Sequence, residues 1–163
     1  MHVIFTPRRG AAAVLASAAL VTAGCGSSSS NSSAASAALT AAQLSSRADA
    51  ACAAYVTSES KVPVPKDFVS NPAAAAKYLD QLKPLVHQEE AAFEALKPPS
   101  SEHADYAKLL ADGKHQVALF DAADAAAHAK NAGGLRIVAE IQRYHKTVLD
   151  PIESKLGFKG CVT

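Results

Sequence analysis

The chain is 163 residues long and 49% of it belongs to hydrophobic residue types, yet only 6% is aromatic and Trp is absent. Alanine makes up the difference: 37 residues are Ala, the strongest helix former but a poor source of apolar area, which argues against an all-β domain. With 16 basic and 15 acidic side chains, there is no charge excess to draw the chain onto nucleic acid or an acidic substrate.

Residues 1–24 have the layout of an export signal. Arg8 and Arg9 precede an apolar run from Ala11 to Ala23, and small residues lead into Cys25. The run is about 13 residues, short of the roughly 20 that a spanning helix needs. Leu20-Val21-Thr22-Ala23-Gly24-Cys25 resembles the lipobox of bacterial lipoproteins, with Thr22 where that family most often has Leu. The resemblance implies a diacylglycerol on the Cys25 thiol, cleavage just before it, and acylation of the new amino group. Several acyl chains anchor stably, since each buried methylene contributes about 0.8 kcal/mol. The alternative is a secreted chain with an unmodified Cys25 thiol. The Arg8-Arg9 pair leaves the export route open between the general and twin-arginine pathways. Loss of the signal leaves fourteen basic and fifteen acidic side chains, so long-range electrostatic steering is weak.

Residues 25–38 read as the lipidated Cys25 and a flexible Ser/Ala linker, GSSSSNSSAASAA, with no large apolar residue to bury. Such a segment reaches roughly 20 Å. The competing expectation is that its alanines extend the first helix.

The domain, residues 39–163, starts where Thr40 and Gln43 form a capping box flanked by the staple pair Leu39 and Leu44. Helix 1 runs to about Ser60, with Leu44, Ala48, Cys52, Tyr55 and Val56 at helical spacing. Pro63 and Pro65 enforce an extended connection, and Asn71-Pro72 opens helix 2. That helix runs to about Leu96 and carries Leu79, Leu82, Val86, Phe93 and Leu96 on one face. Pro84 predicts a kink near Leu82 or a break. Pro98-Pro99 stops helix 2 and Ser100 caps helix 3, which runs to about Ala129 with Tyr106, Leu110, Val117, Phe120 and Ala127 along its seam. Asn131, Gly133 and Gly134 mark a tight connection. Helix 4 carries Ile137, Ile141, Tyr144, Val148, Ile152 and Leu156, with a second kink expected at Pro151 and a stop at Gly157. Together these predict an all-α, antiparallel up-down-up-down four-helix bundle.

With Cys25 reserved for lipid, Cys52 and Cys161 remain, and an even remainder in an exported chain favours a disulfide. It would close a loop worth about 4 to 5 kcal/mol. The bridge requires Gly157 to turn the chain back along helix 1, where five extended residues reach about 17 Å. The alternative is two thiols without a redox role. One Cys in the first helix and one beyond the last, at Gly157-Phe158-Lys159-Gly160-Cys161, resembles the small Ala-rich helical lipoproteins of high-GC Gram-positive bacteria. That resemblance implies a lipid-anchored bundle on the outer face of the cytoplasmic membrane. It supplies no active-site residues.

Bundles often hold metals between facing helices, but the Glu-x-x-His signature is missing. Helix 2 offers His87-x-x-Glu90 with Glu89 on the apolar seam, and helix 3 offers Asp121, Asp124 and His128. A short turn at Lys97–Ser100 would set Glu89 level with Lys108 and leave Asp124 about 24 Å away. Glu89 or Glu90 is then expected to pair with Lys108, and Asp121, Asp124 and His128 to form at most an incomplete surface metal site. Tyr55 and Tyr78 should share one end of the bundle and could line a small ligand pocket with the proline-rich loop, while Tyr106 and Tyr144 lie elsewhere. His103, His115 and His145 each read as surface or partly buried. No nucleophile elbow, phosphate loop or zinc pattern is present. The expectation is a non-enzymatic, extracytoplasmic binding module without a cofactor, tied to the membrane by lipid and partnered by an envelope protein or small ligand rather than nucleic acid. A metal-binding or metalloenzyme bundle is the alternative.

Overall fold

The computed structural model describes residues 38–162; the signal, Cys25 and all of the linker except Ala38 lie outside the described residues. Helix α1 (Ala41–Glu59) starts at the capping box: Thr40 Oγ1 accepts from the Gln43 N–H at 3.2 Å, and Gln43 Oε1 accepts from the Thr40 N–H at 3.0 Å. Helix α2 (Pro72–Glu94) starts with Asn71 accepting from the Ala74 N–H at 3.1 Å and proline in the first turn. Of the two outcomes expected at Pro84, a kink or a break, the break does not occur: α2 is continuous. Pro84 and Asp80 are both exposed, so the Asp80 carbonyl that the proline leaves without a donor can bond water.

Helix α3 (His103–His128) begins later than a Ser100 cap would place it; Glu102 takes the cap position and makes no side-chain capping bond. It ends with Lys130 at φ 56°, where the Asn131 N–H donates to Ala126 O at 2.8 Å and the Lys130 N–H to Ala127 O at 3.0 Å, a Schellman closure.

The fourth rod is segmented into a 3-10 turn (Gly134–Arg136), α4 (Ile137–Tyr144), a π-helical turn (His145–Leu149) and α5 (Asp150–Lys155). Here proline accounts for the irregularity. Pro151 has no N–H to give the Thr147 carbonyl, and its ring would clash with that carbonyl in a regular α-turn. The backbone widens instead, and the Asp150 N–H donates to His145 O, five residues back.

Neighbouring helices pack in antiparallel pairs. The Leu39 N–H donates to Lys97 O at 2.9 Å, setting the start of α1 beside the end of α2. His128 at the end of α3 lies 2.9 Å from Asp80 near the start of α2. Lys155 reaches Asp105 at 2.8 Å, and Tyr144 donates to Asp112 at 3.1 Å, matching α3 to the fourth rod. Small residues let the axes approach: Ala75, Ala123 and Ala127 are all buried where α2, α3 and the fourth rod meet.

The C-terminal tail completes the bundle. Gly157 adopts φ 76°, a left-handed conformation that suits glycine, and its carbonyl accepts from Ser45 Oγ at 2.7 Å. The chain then climbs α1, with the Gly160 N–H donating to Asp49 at 2.8 Å. It ends in the Cys52–Cys161 disulfide, with S–S 2.06 Å and Cα–Cα 5.3 Å.

Candidate functional site

The apolar core is divided into two lobes. One is built on Tyr55, Tyr78, Leu79, Leu82, Val86, Phe120, Leu135 and Ile141. The other is built on Leu44, Cys52, Phe93, Tyr106, Leu109, Leu149, Phe158 and Cys161. In sequence, Glu89 falls between Val86 and Phe93, Gln116 between Leu109 and Phe120, and His145 between Ile141 and Leu149. The three are 3%, 1% and 3% exposed. Polar side chains therefore occupy the waist where the two lobes meet, and Asp150 and Glu153, 6% and 0% exposed, join them.

The π turn selects these residues. In an α-helix, positions five apart point about 140° away from each other; a turn closed by an i→i+5 bond brings them onto one face. His145 Nε2 consequently lies 3.2 Å from Asp150 Oδ1 and 3.8 Å from Glu153 Oε2. The same widening rotates the predicted seam outward: Tyr144, Val148 and Ile152 are only partly buried, and His145, Leu149 and Glu153 take the inner positions. His145 is thus buried, against the expectation of a surface or partly buried ring.

The other nitrogen of His145 faces α3, where Gln116 Nε2 and Oε1 stand 3.2 Å and 3.5 Å from Nδ1. Lys146 Nζ takes the outer oxygen of Asp150, Oδ2, at 3.1 Å. Burial pushes the Glu153 carboxyl up to about 7, with the charges of Asp150 and Glu89 acting in the same direction. Glu153 therefore lies within electrostatic reach of both Asp150 on its own rod and Glu89 on α2.

The polar belt continues towards the first lobe. Burial raises the Tyr55 hydroxyl far above its ordinary value, with further contributions from Glu59, Glu89 and Tyr78. It raises Tyr78 likewise, with Glu59 adding to the effect. The structure brings Tyr55, Tyr78 and Glu59 together, and Phe68 of the interhelical connection sits edge-on to Tyr78 at 5.9 Å. Both tyrosines are packed into the lobe at 4% and 2% exposure. A small apolar cleft lies elsewhere, lined by Phe93, Leu109, Leu110, Gly113 and Leu149.

A second cluster lies on the outer α2–α3 seam. Lys83 Nζ is 2.9 Å from Asp124 Oδ2 and 3.5 Å from Asp121 Oδ1. His128 Nε2 is 2.9 Å from Asp80 and 3.5 Å from Asp124. His87 is 3.3 Å from Glu90 and 3.5 Å from Asp121. The 24 Å separation expected between the helix 2 and helix 3 groups is therefore overturned. Glu94, the last residue of α2, meets Lys114 at 2.8 Å, well inside α3, so the start of α3 projects beyond the end of α2 and the whole register shifts. Lys108 pairs with Asp112 at 2.6 Å rather than with Glu89 or Glu90. Asp80, Asp124 and His128 have the spacing of a metal site, but the Lys83 ammonium already supplies the cation there, and its own pKa is raised by the Asp124 hydrogen bond.

His103 and His115 are exposed; the His115 ring lies tilted against Tyr144, with centroids 4.7 Å apart. Sequence reasoning missed Gln116, Asp150 and Glu153, and placed Glu89 on the apolar seam as a partner for Lys108 rather than in this cluster. The available signal was Pro151, which marked where the 3.6-residue period fails. Compared with family models, curated proteins and solved structures, the chain finds no match in any of the three.

Proposed function

We propose that the chain is a lipid-anchored, extracytoplasmic lipoprotein of the small Ala-rich type, whose helical bundle serves as a non-enzymatic binding or interaction module of the cell envelope. The observation that carries this reading is Cys25 placed directly after Leu20-Val21-Thr22-Ala23-Gly24, followed by a Ser-rich stretch without a large apolar residue. The Cys52–Cys161 disulfide supports it, because such bonds persist in oxidising compartments. Among the described residues no helix is long and apolar enough to cross a membrane, and acyl chains on Cys25 would provide attachment.

Labelling cells with a radioactive fatty acid and fractionating them tests the anchor. The chain should carry label and sediment with membranes, and Cys25→Ala should carry none and keep its leader. Recovery of an unlabelled, cleaved chain with a free Cys25 thiol in the medium would refute it. The module reading predicts that the purified protein captures an envelope protein, glycan or lipid, and failure across all three classes counts against it. A second reading, a metal-binding bundle, is favoured by one observation: the ligand-type atoms of His145, Asp150 and Glu153 all lie within 4.8 Å of one another in a fully buried setting.

A further inference from the structure

We propose that His145, Asp150 and Glu153 bind one divalent ion of the zinc, manganese, iron(II) or cobalt type, with Gln116 holding the imidazole in place. This rests on the metal-binding reading and goes beyond it by assigning ligands, ion class and an orienting residue.

The spacing fits an ion. Ligands about 2.0 to 2.2 Å from a metal stand roughly 3 to 3.6 Å from one another; His145 Nε2 lies 3.2 Å from Asp150 Oδ1, within that range, and 3.8 Å from Glu153 Oε2, slightly beyond it and closed by a small side-chain rotation. One imidazole nitrogen with two carboxylate oxygens suits borderline first-row ions. The set has too few oxygens for calcium and no thiolate for copper(I).

The surroundings fit as well. A metal-bound imidazole commonly donates its other N–H to an oxygen acceptor, which fixes tautomer and ring angle. Gln116 presents both amide atoms within 3.5 Å of Nδ1, so its carbonyl oxygen can accept that N–H after a rotation of the amide. The lone pair of Nε2 then faces the carboxylates. Lys146 occupies Asp150 Oδ2 and leaves Oδ1 on the His145 side. Glu89 adds a further buried carboxylate from α2. The outer Asp80–Asp124–His128 group differs in burial: Asp80 and His128 are exposed, whereas His145, Asp150 and Glu153 are all buried.

The test is titration of the purified protein with cobalt(II), read by visible absorption, and with zinc, read by calorimetry. The expected result is one ion per chain, at least 100-fold weaker binding in His145→Gln and Glu153→Gln, and a loss of about 10- to 100-fold in Gln116→Leu. Asp124→Asn should bind as the parent does. Should a waist variant fail to fold, the imidazole NMR signals of the parent decide: zinc must shift those of His145, and a shift confined to His128 or His87 overturns the assignment. Binding lost in Asp124→Asn but kept in His145→Gln also overturns it, while leaving the metal-binding reading standing. Failure of the parent to bind any of these ions more tightly than millimolar overturns both.

Discussion

Removing the Cys52–Cys161 bond should cost the domain more than any single side chain. The bridge joins residues separated by 109 positions, and the chain-entropy model assigns a loop of that length about 4.5 to 5 kcal/mol. Folded domains are stable by only about 5 to 15 kcal/mol, so Cys52→Ala/Cys161→Ala should leave a domain near its threshold. The variant stays foldable because the tail keeps other ties: Ser45 on Gly157, Asp49 on the Gly160 N–H, and Phe158 against Phe93 at 6.2 Å. Alanine is the right replacement because both sulfurs are fully buried, and a serine hydroxyl would need a partner there. Urea unfolding should show a loss of about 4 to 5 kcal/mol with a somewhat larger slope, because the unfolded chain without its cross-link is more expanded, and heating a midpoint lower by roughly 15 to 20 °C. Dithiothreitol should reproduce the shift in the parent and do nothing to the double variant. A loss below about 1 kcal/mol, or an equal response of both proteins to reductant, would show that the tail is held by its non-covalent contacts and that loop closure adds little.

Thr40→Ala removes one half of the capping box and should cost about 0.5 to 2 kcal/mol in urea unfolding, with hydrogen exchange accelerated chiefly in the first turn of α1. At Gly160 a Cβ would stand 3.3 Å from the Cα, Cβ and carbonyl oxygen of Asp49; Gly160→Ala should therefore lift the tail from α1, lower stability by about 1 to 3 kcal/mol, and slow disulfide formation in refolding assays. The hydrogen bond to Asp80 holds His128 protonated to higher pH than usual, with Asp124 acting in the same direction. A group whose folded pKa is raised stabilises fully below its unfolded value, near 6.5, and loses that contribution as pH rises through the folded value. The parent should thus outlast His128→Gln in urea at pH 6 and lose its advantage at alkaline pH, and 0.5 M salt should shrink the difference. An advantage independent of pH would exclude the Asp80 pairing as its source.

Much of the fold was legible because its signals are local. The Thr40–Gln43 box, the Asn71-Pro72 start and the Gly157 stop each act within one turn of chain, where neighbouring tertiary contacts have little say. The disulfide was legible for a different reason: an even cysteine remainder and a five-residue tail leave few places for Cys161 to go. The α2–α3 register was not, because it depends on where α3 starts after Pro98-Pro99. A start at Glu102–His103 instead of Ser100 changes which carboxylates meet Lys83 and His128. Pro84 and Pro151 show that even a strong local signal has two outcomes. Both prolines are exposed, yet α2 stays continuous through Pro84 while the backbone widens into a π turn just before Pro151.

That widening makes the waist invisible to a reading at 3.6 residues per turn. The apolar residues Tyr144, Val148 and Ile152 satisfy the helical period, so a seam drawn through them leaves His145, Asp150 and Glu153 outside; one extra residue in the turn turns the rod and exchanges the two sets. Stability alone favours the seam that was not built, since buried ionic groups replaced by well-packed apolar ones are often neutral or stabilising. The chain has apolar side chains in the same segment, yet Tyr144, Val148 and Ile152 are only partly buried. The rod thus brings a histidine and two carboxylates in while Tyr144 and Ile152 stay partly buried against the second lobe, and the cobalt(II) and zinc titrations decide whether those three groups hold an ion.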